Sequence, residues 1–252
     1  PGQHVYIPDR AAGCYLAETA GRAQVEQAWR DLDAALGGCA DVEITPITYV
    51  NSDAALKAFC GKHGGSVCTS GNAAKVLAWA FAQRPRVFFF PDQHLGRNTA
   101  LAMGIPAEEI ILWTPHRPPS AETIHNAKVV LWPGACNVHQ RFHPEDVVTV
   151  RERHPGIRVI VHPECDHSVV ELADSVGSTT HIIQHVEAAP TGSAWAVGTE
   201  TRLVRRLQQE HPEQLIVPLA ERPPYCPTMG MVTLRKLTET LEALLAGDPP
   251  DE

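Results

Sequence analysis

The chain has 252 residues, 44% of them hydrophobic and 20% charged, with a formal net charge of -8. That balance describes a globular protein with room for more than one domain, and it gives no electrostatic basis for binding nucleic acid or an anionic membrane. Its apolar runs fall short of the ~20 residues of a membrane-spanning helix, and its seven scattered cysteines point to metal-binding or catalytic thiols in a reducing, cytoplasmic setting rather than a disulfide framework.

Residues 4–7 read as a short strand, followed by Pro8-Asp9 and Gly13-Cys14. A strand so close to Pro1 leads to the expectation of an N-terminally incomplete chain. Residues 15–36 carry apolar side chains at helical spacing and are stopped by Gly37-Gly38. A strand over 44–50 ends in Asn51-Ser52-Asp53, a helix start for 54–59. A short strand over 66–68 passes through Thr69-Ser70-Gly71-Asn72 into a helix over 73–83. The strand at 87–90 is followed by Pro91-Asp92 and then Gly96, which echoes Pro8-Asp9 and Gly13 after the first strand. A short helix over 98–103, a strand over 110–113 and a Pro-rich connection over 116–119 follow.

Residues 129–132 and 157–161 are short, apolar, β-branched-rich runs with Pro close behind, the pattern of buried parallel strands, and a helix over 144–153 lies between them. Cys136 and His139 follow the first run; His162 and Glu164 follow the second. Ligands of open α/β sheets sit outside the carboxyl ends of strands, so these four side chains can converge on one crevice. The remaining pattern is a helix over 168–173, a short strand at 176, a helix over 178–185, a strand over 194–197, a helix over 201–210, a strand over 215–218, a loop over 223–229 and a helix over 233–245. The tail after Gly247 is expected to fray. Strands alternating with helices predict an α/β fold of repeated small α/β domains with parallel sheets covered on both faces. Neither the dinucleotide-binding glycine fingerprint nor a P-loop is present.

Cys14, Cys136 and Cys226 each follow a strand or strand-like run and are too far apart in sequence for a zinc ribbon. Three such thiolates suit an iron–sulfur cluster with one iron left open. The competing reading is buried apolar thiols, to which Cys39, Cys60 and Cys68 are assigned; Cys165, beside Glu164, competes as a ligand. Ser178-Thr179 and Thr69-Ser70 precede helices, where they bind anions or simply cap. Tyr49 and Asn51 end a strand within reach of a carboxylate or carbonyl. Glu164, desolvated next to a negative cluster, is expected to have a raised pKa and to serve as a base, with His139 and His162 as partners.

Taken together, Pro-Gly-x-Cys-x-Val-His-x-x-Phe (133–142), His-Pro-Glu-Cys (162–165), Gly-Ser-Thr (177–179), Gly-Thr-Glu (198–200) and Cys-Pro-Thr-Met (226–229) resemble quinolinate synthase. So do Pro-Asp-x-x-Ala-Gly-Cys (8–14), Tyr-Val-Asn (49–51), Cys-Thr-Ser-x-Asn-Ala (68–73) and Pro-Asp-x-x-Leu-Gly-Arg (91–97), and the likeness runs from Val5 to Leu245. The resemblance implies three-layer α/β/α domains around a pseudo-threefold axis and a [4Fe–4S] cluster held by Cys14, Cys136 and Cys226. Mapped onto this chain, the domains would be residues 1–100, 101–190 and 191–252, each with one of these thiols. The resemblance further implies condensation of iminoaspartate with dihydroxyacetone phosphate to quinolinate in NAD biosynthesis, with an iminoaspartate-producing oxidase as a partner. Matching positions put Tyr49, Asn51, Ser70, His139, His162, Glu164, Ser178 and Thr179 at the substrate. The family carries a further domain before its first cluster thiol, whereas thirteen residues precede Cys14 here, so the first domain is expected to be largely missing. Two other readings stay open at this stage: another open-cluster hydro-lyase, and a non-catalytic remnant that only binds.

Overall fold

The computed structural model describes residues 4–115 and 117–248. His116, at the head of the expected Pro-rich connection, and residues 249–252 of the expected fraying tail lie outside them. The elements in chain order are α1 (Tyr15–Glu18), α2 (Arg22–Ala35), α3 (Ala40–Glu43), β1 (Ile44–Tyr49), α4 (Ala54–Lys62), β2 (Ser66–Cys68), α5 (Ala73–Gln83), β3 (Arg86–Phe90), α6 (Gln93–Ala102), β4 (Ile110–Leu112), α7 (Ala121–Asn126), β5 (Val129–Leu131), α8 (Pro144–Arg153), β6 (Arg158–Val161), α9 (His167–Val170), β7 (Ser175–Val176), α10 (Thr179–Glu187), β8 (Ala194–Gly198), α11 (Thr201–Glu210), β9 (Leu215–Pro218) and α12 (Leu234–Ala246).

The chain forms two compact units: Leu16–Tyr225, and a smaller one that joins the residues before it to those after it. Within the larger unit lie a five-stranded sheet of order β2-β1-β3-β5-β4 and a four-stranded sheet of order β7-β6-β8-β9. Every strand pairing in both is parallel, as expected of an α/β fold. In the first sheet β5 pairs with β3 and β4 pairs with β5.

The apolar strands follow from burial on both faces. In the second sheet Val159, Val161 and Ala196 face one core with Phe142, Val147 and Cys165, while Ile160, Trp195 and Val197 face another with Ile182, Val204 and Leu207. That alternation is the period of two of a pleated strand. The first sheet packs Phe88, Phe90 and Val130 against Trp29, Leu32, Phe59, Trp113 and Trp132. Trp29 and Trp195 are thus core residues, whereas Trp79 is exposed.

The strand order reverses between β1 and β3 in the first sheet and between β6 and β8 in the second. Such reversal points open crevices at the carboxyl edges of strands. Tyr49 and Pro91-Asp92 stand at the first; His162–Glu164 and Thr199 stand at the second.

Several elements differ from the sequence reading. The helix expected over 98–103 begins earlier, at Gln93, because the Asp92 side chain caps it by accepting from the Leu95 N–H at 2.7 Å. Gly96 sits inside that helix, and a Cβ there would lie 2.6 Å from Leu131 Cδ2 and 2.7 Å from Phe89 Cδ1. Its bare backbone is what lets α6 lie on the sheet. Residues 4–7 pair with no strand among the described residues, and Val5 and Ile7 are exposed; an extended run without a ladder partner is not a strand. Helices α3 and α7 fall in segments the sequence reading left without an element. Cys60 and Cys68 are buried as expected, but Cys39 is exposed in the link between α2 and α3.

In the smaller unit a side-chain pair links the segment before residue 16 to the one after residue 225. Asp9 accepts from the Ala11 N–H at 2.8 Å and pairs with Lys236 on α12. Thr233 caps α12, and Gly247 ends it in the left-handed conformation at φ 75°. Cys226 opens a turn in which its carbonyl accepts from the Gly230 N–H at 3.1 Å.

Candidate active site

Glu164 is the centre of a buried polar cluster at the carboxyl edge of β6. The turn that carries it is fixed from the other sheet: Asn98 of α6 donates from Nδ2 to the carbonyls of Pro163 (2.9 Å) and Cys165 (2.8 Å), and its Oδ1 is 2.9 Å from His167 Nδ1. Cys165 thereby packs into the core of the second sheet, which removes it as a competing ligand. Glu164 Oε2 lies 2.7 Å from His139 Nδ1, and His139 Nε2 lies 3.1 Å from Thr199 Oγ1. The His139 and His162 rings stack with centroids 4.5 Å apart. The phenol of Tyr49 faces Glu164 and Ser70, and His162 Nε2 is 3.2 Å from Ser70 Oγ. Glu164 Oε1 is buried with no hydrogen-bond partner among the described residues.

The electrostatics follow from this packing. Burial alone would raise the Glu164 carboxyl, but the charge and hydrogen bond of His139 outweigh it and bring it down to about 2. This corrects the raised pKa expected from the sequence, which counted desolvation and not a bonded imidazole. Burial, with the charge of His139 second, lowers His162 to about 4. His162 is therefore a neutral imidazole. Its Nδ1 accepts from the Glu164 N–H at 3.3 Å, which assigns the proton to Nε2. The 3.9 Å approach of His162 Nδ1 to Glu164 Oε2 is thus not an ion pair. Burial, and then Glu164, push Asp92 well above the carboxylate range, and the same two causes raise the Cys136 thiol. Tyr49 is held protonated by its burial and by Glu164.

Cys136 follows β5, and its Sγ, a His139 ring nitrogen and a Glu164 oxygen all lie within 4.8 Å of one another. Those donors can hold a cation. Ser178 caps α10 by accepting from the His181 N–H at 3.3 Å, and a Cβ on Gly71 would lie 3.4 Å from Ser178 Oγ. The Ser70 turn and the start of α10 therefore face each other across the crevice. Thr179 is exposed beside Ser178, and Asn51 is exposed just past β1. Cys14 and Cys226 belong to the smaller unit, where both are half-buried.

Tyr49, Ser70, Cys136, His139, His162, Glu164 and Ser178 are thus gathered within one unit. Asp92, Asn98 and Thr199 support them without having been assigned a role from sequence. Asp92 and Thr199 lie in motifs that stand out in the sequence, Pro-Asp and Gly-Thr-Glu; nothing local marks Asn98.

Residues 1–246 match the family model described as "NadA: Quinolinate synthetase A protein". The chain is 48% identical over 251 residues to the quinolinate synthase of Bacillus subtilis (strain 168), an alignment that covers 98% of this chain and 67% of that protein. It is 48% identical over 249 residues to that of Lysinibacillus sphaericus (strain C3-41), with the same two coverages. Against that of Rhodopirellula baltica it is 50% identical over 248 residues, covering 96% of this chain and 62% of the relative. The chain spans 62–67% of the length of these curated relatives. No helix among the described residues is long and apolar enough to cross a membrane. With nearly its whole length inside the match, this chain belongs to the quinolinate synthetase A family.

Proposed function

We propose that the chain carries the reaction centre of a quinolinate synthase, condensing iminoaspartate with dihydroxyacetone phosphate to quinolinate with loss of phosphate and water, in the cytoplasm and fed by an iminoaspartate-producing oxidase. The observation that supports this most is the buried Tyr49–Glu164–His139–His162 cluster beside Cys136, in which Glu164 Oε1 has no hydrogen-bond partner among the described residues.

The thiols fit a cluster in their degree of burial. None of the seven cysteines is in a disulfide; Cys14, Cys136 and Cys226 are half-buried, Cys60, Cys68 and Cys165 are buried, and Cys39 is exposed. Partial burial is compatible with a thiol that binds iron and still admits a substrate. These three would hold a [4Fe–4S] cluster, which supplies an open iron as Lewis acid. The rest of the chemistry falls to side chains. Glu164 Oε1 is the atom available to take a proton. An anionic substrate beside Glu164 disfavours its ionised form and so raises it toward a useful basicity. His162, neutral with its proton on Nε2, donates to a substrate oxygen, and the Tyr49 phenol is a second donor. Ser70 with the first turn of α10, Ser178 and Thr179, offers hydroxyls and free N–H groups to a phosphate or carboxylate. Asn51, exposed just past β1, would bond a carbonyl or carboxylate.

The same donors favour a second reading, a single cation bound by Cys136, His139 and Glu164. Anaerobic reconstitution separates the two. A cluster brings about four irons and as many acid-labile sulfides per chain, whereas a single ion brings no sulfide. We expect Cys14→Ser, Cys136→Ser and Cys226→Ser each to lose the sulfide and Cys39→Ser to keep it. The loaded protein, assayed as this chain and in a form extended to the length of its relatives, should release quinolinate and phosphate from the two substrates. Sulfide-replete protein that releases neither in both forms would end the catalytic reading.

A further inference from the structure

We propose that Asp92 is the positioning residue for Cys136: one carboxylate oxygen starts helix α6 and the other holds the backbone of the loop that presents the thiol. The inference rests on reading Cys136 as an iron ligand. An Asp at the head of a helix needs only one oxygen to cap it. Here Oδ1 accepts from the Leu95 N–H at 2.7 Å, and Oδ2 accepts from the Cys136 N–H at 3.2 Å, 44 residues along the chain. The side chain is wholly buried, so no water substitutes for either bond.

Independent contacts bind the same two segments together. Asp92 and Gly134 form a parallel β-bridge, the Gln93 N–H donates to the Gly134 carbonyl at 2.8 Å, and Gln93 Nε2 donates to the Pro133 carbonyl at 3.1 Å. The approach is so close that a Cβ on Gly134 would lie 2.4 Å from the Pro91 carbonyl oxygen and 2.3 Å from Thr19 Oγ1. The loop after β5 is thus pressed onto the start of α6, and the carboxylate makes the bond nearest the thiol. The Pro-Asp echo in the smaller unit diverges at this point. Asp9 also accepts from a nearby N–H, that of Ala11, but its other oxygen goes to Lys236.

Asp92→Asn separates the two functions. The remaining carbonyl oxygen can still cap Leu95, while the amide NH₂ meets the Cys136 N–H as donor against donor. The test is iodoacetamide labelling of the reduced, iron-free chain under anaerobic conditions, with rates read peptide by peptide at Cys136, Cys14, Cys165 and Cys60. We expect the Cys136 rate to rise about tenfold, the scale of leaving one buried N–H without its acceptor, with the other three unchanged. In reconstituted protein, iron loss to a chelator should quicken by about the same factor. A Cys136 rate within about twofold of the parent overturns the proposal, because a buried N–H left unsatisfied costs more. A parallel rise at the core thiols Cys165 and Cys60 also overturns it, since Asp92 would then be a general fold residue. If Asp92→Asn does not fold, Asp92→Ser keeps a capping oxygen too short to reach Cys136 and is read in the same way. The labelling needs no iron, so failure of the cluster reading would show as absent sulfide and leave this result standing.

Discussion

The two oxygens of Glu164 have different surroundings: Oε2 is bonded to His139, while Oε1 has no partner among the described residues. Glu164→Gln keeps the shape and removes the charge that steadies His139. In iron-loaded protein we expect kcat to fall roughly 10²–10⁴-fold, the usual worth of a positioned base, with iron content unchanged. A loss under about threefold would make Glu164 a structural carboxylate and pass the proton to His139 or His162. At this scale the sequence is most legible where a reactive residue closely follows an apolar run. Cys136, His139, His162 and Glu164 are found that way because a parallel strand delivers its next residues to one edge. What could not be read is what each one touches. The low pKa of Glu164 depends on an imidazole 25 residues earlier, and the fixed turn around it depends on Asn98, a residue with no local signature. Asn51 and Thr179 were legible as motif positions, yet both are exposed.

Among the elements, α6 does most to set the site. Its cap holds the Cys136 loop, and Asn98 on its second turn holds the Pro163–Cys165 turn. Its place on the sheet depends on Gly96. Gly96→Ala forces a methyl against Leu131 and Phe89, and overpacking of this kind costs about 1–3 kcal/mol. The Tm should fall by several degrees, and iron retention should weaken because both held loops shift with the helix. A Tm within about 1 °C of the parent would show that α6 rises off the sheet at no cost. The start of this helix was misread from sequence for a physical reason. Pro-Asp and Gly together look like a turn, and only the tertiary contact shows that Gly is there for closeness rather than for bending. Strands and longer helices such as α5, α8 and α11 were legible throughout, since burial on both faces and helical spacing leave strong patterns.

For the molecule as a whole, the buried neutral imidazole of His162 ties stability to pH. Its pKa is about 4 in the folded protein against 6.5 for an ordinary histidine. The unfolded chain therefore binds the proton more readily, and stability is complete above pH 6.5 and declines as pH falls toward 4. The loss should approach ~3 kcal/mol over that window. It is measurable as denaturant midpoints at successive pH values, and His162→Gln should flatten that part of the curve. An equally steep curve in the variant would assign the slope to other groups. The site that His162 helps form draws on both sheets: Tyr49, Asp92 and Cys136 come with the first, and His162, Glu164 and Thr199 with the second. This division has a consequence for synthesis. A chain emerging N-terminus first completes the first sheet, with Cys136 already at its edge, before β6 and β8 exist to pair. An ion that meets this early thiol meets it without the carboxylate, so loading in the final geometry belongs to the finished protein and not to the nascent one.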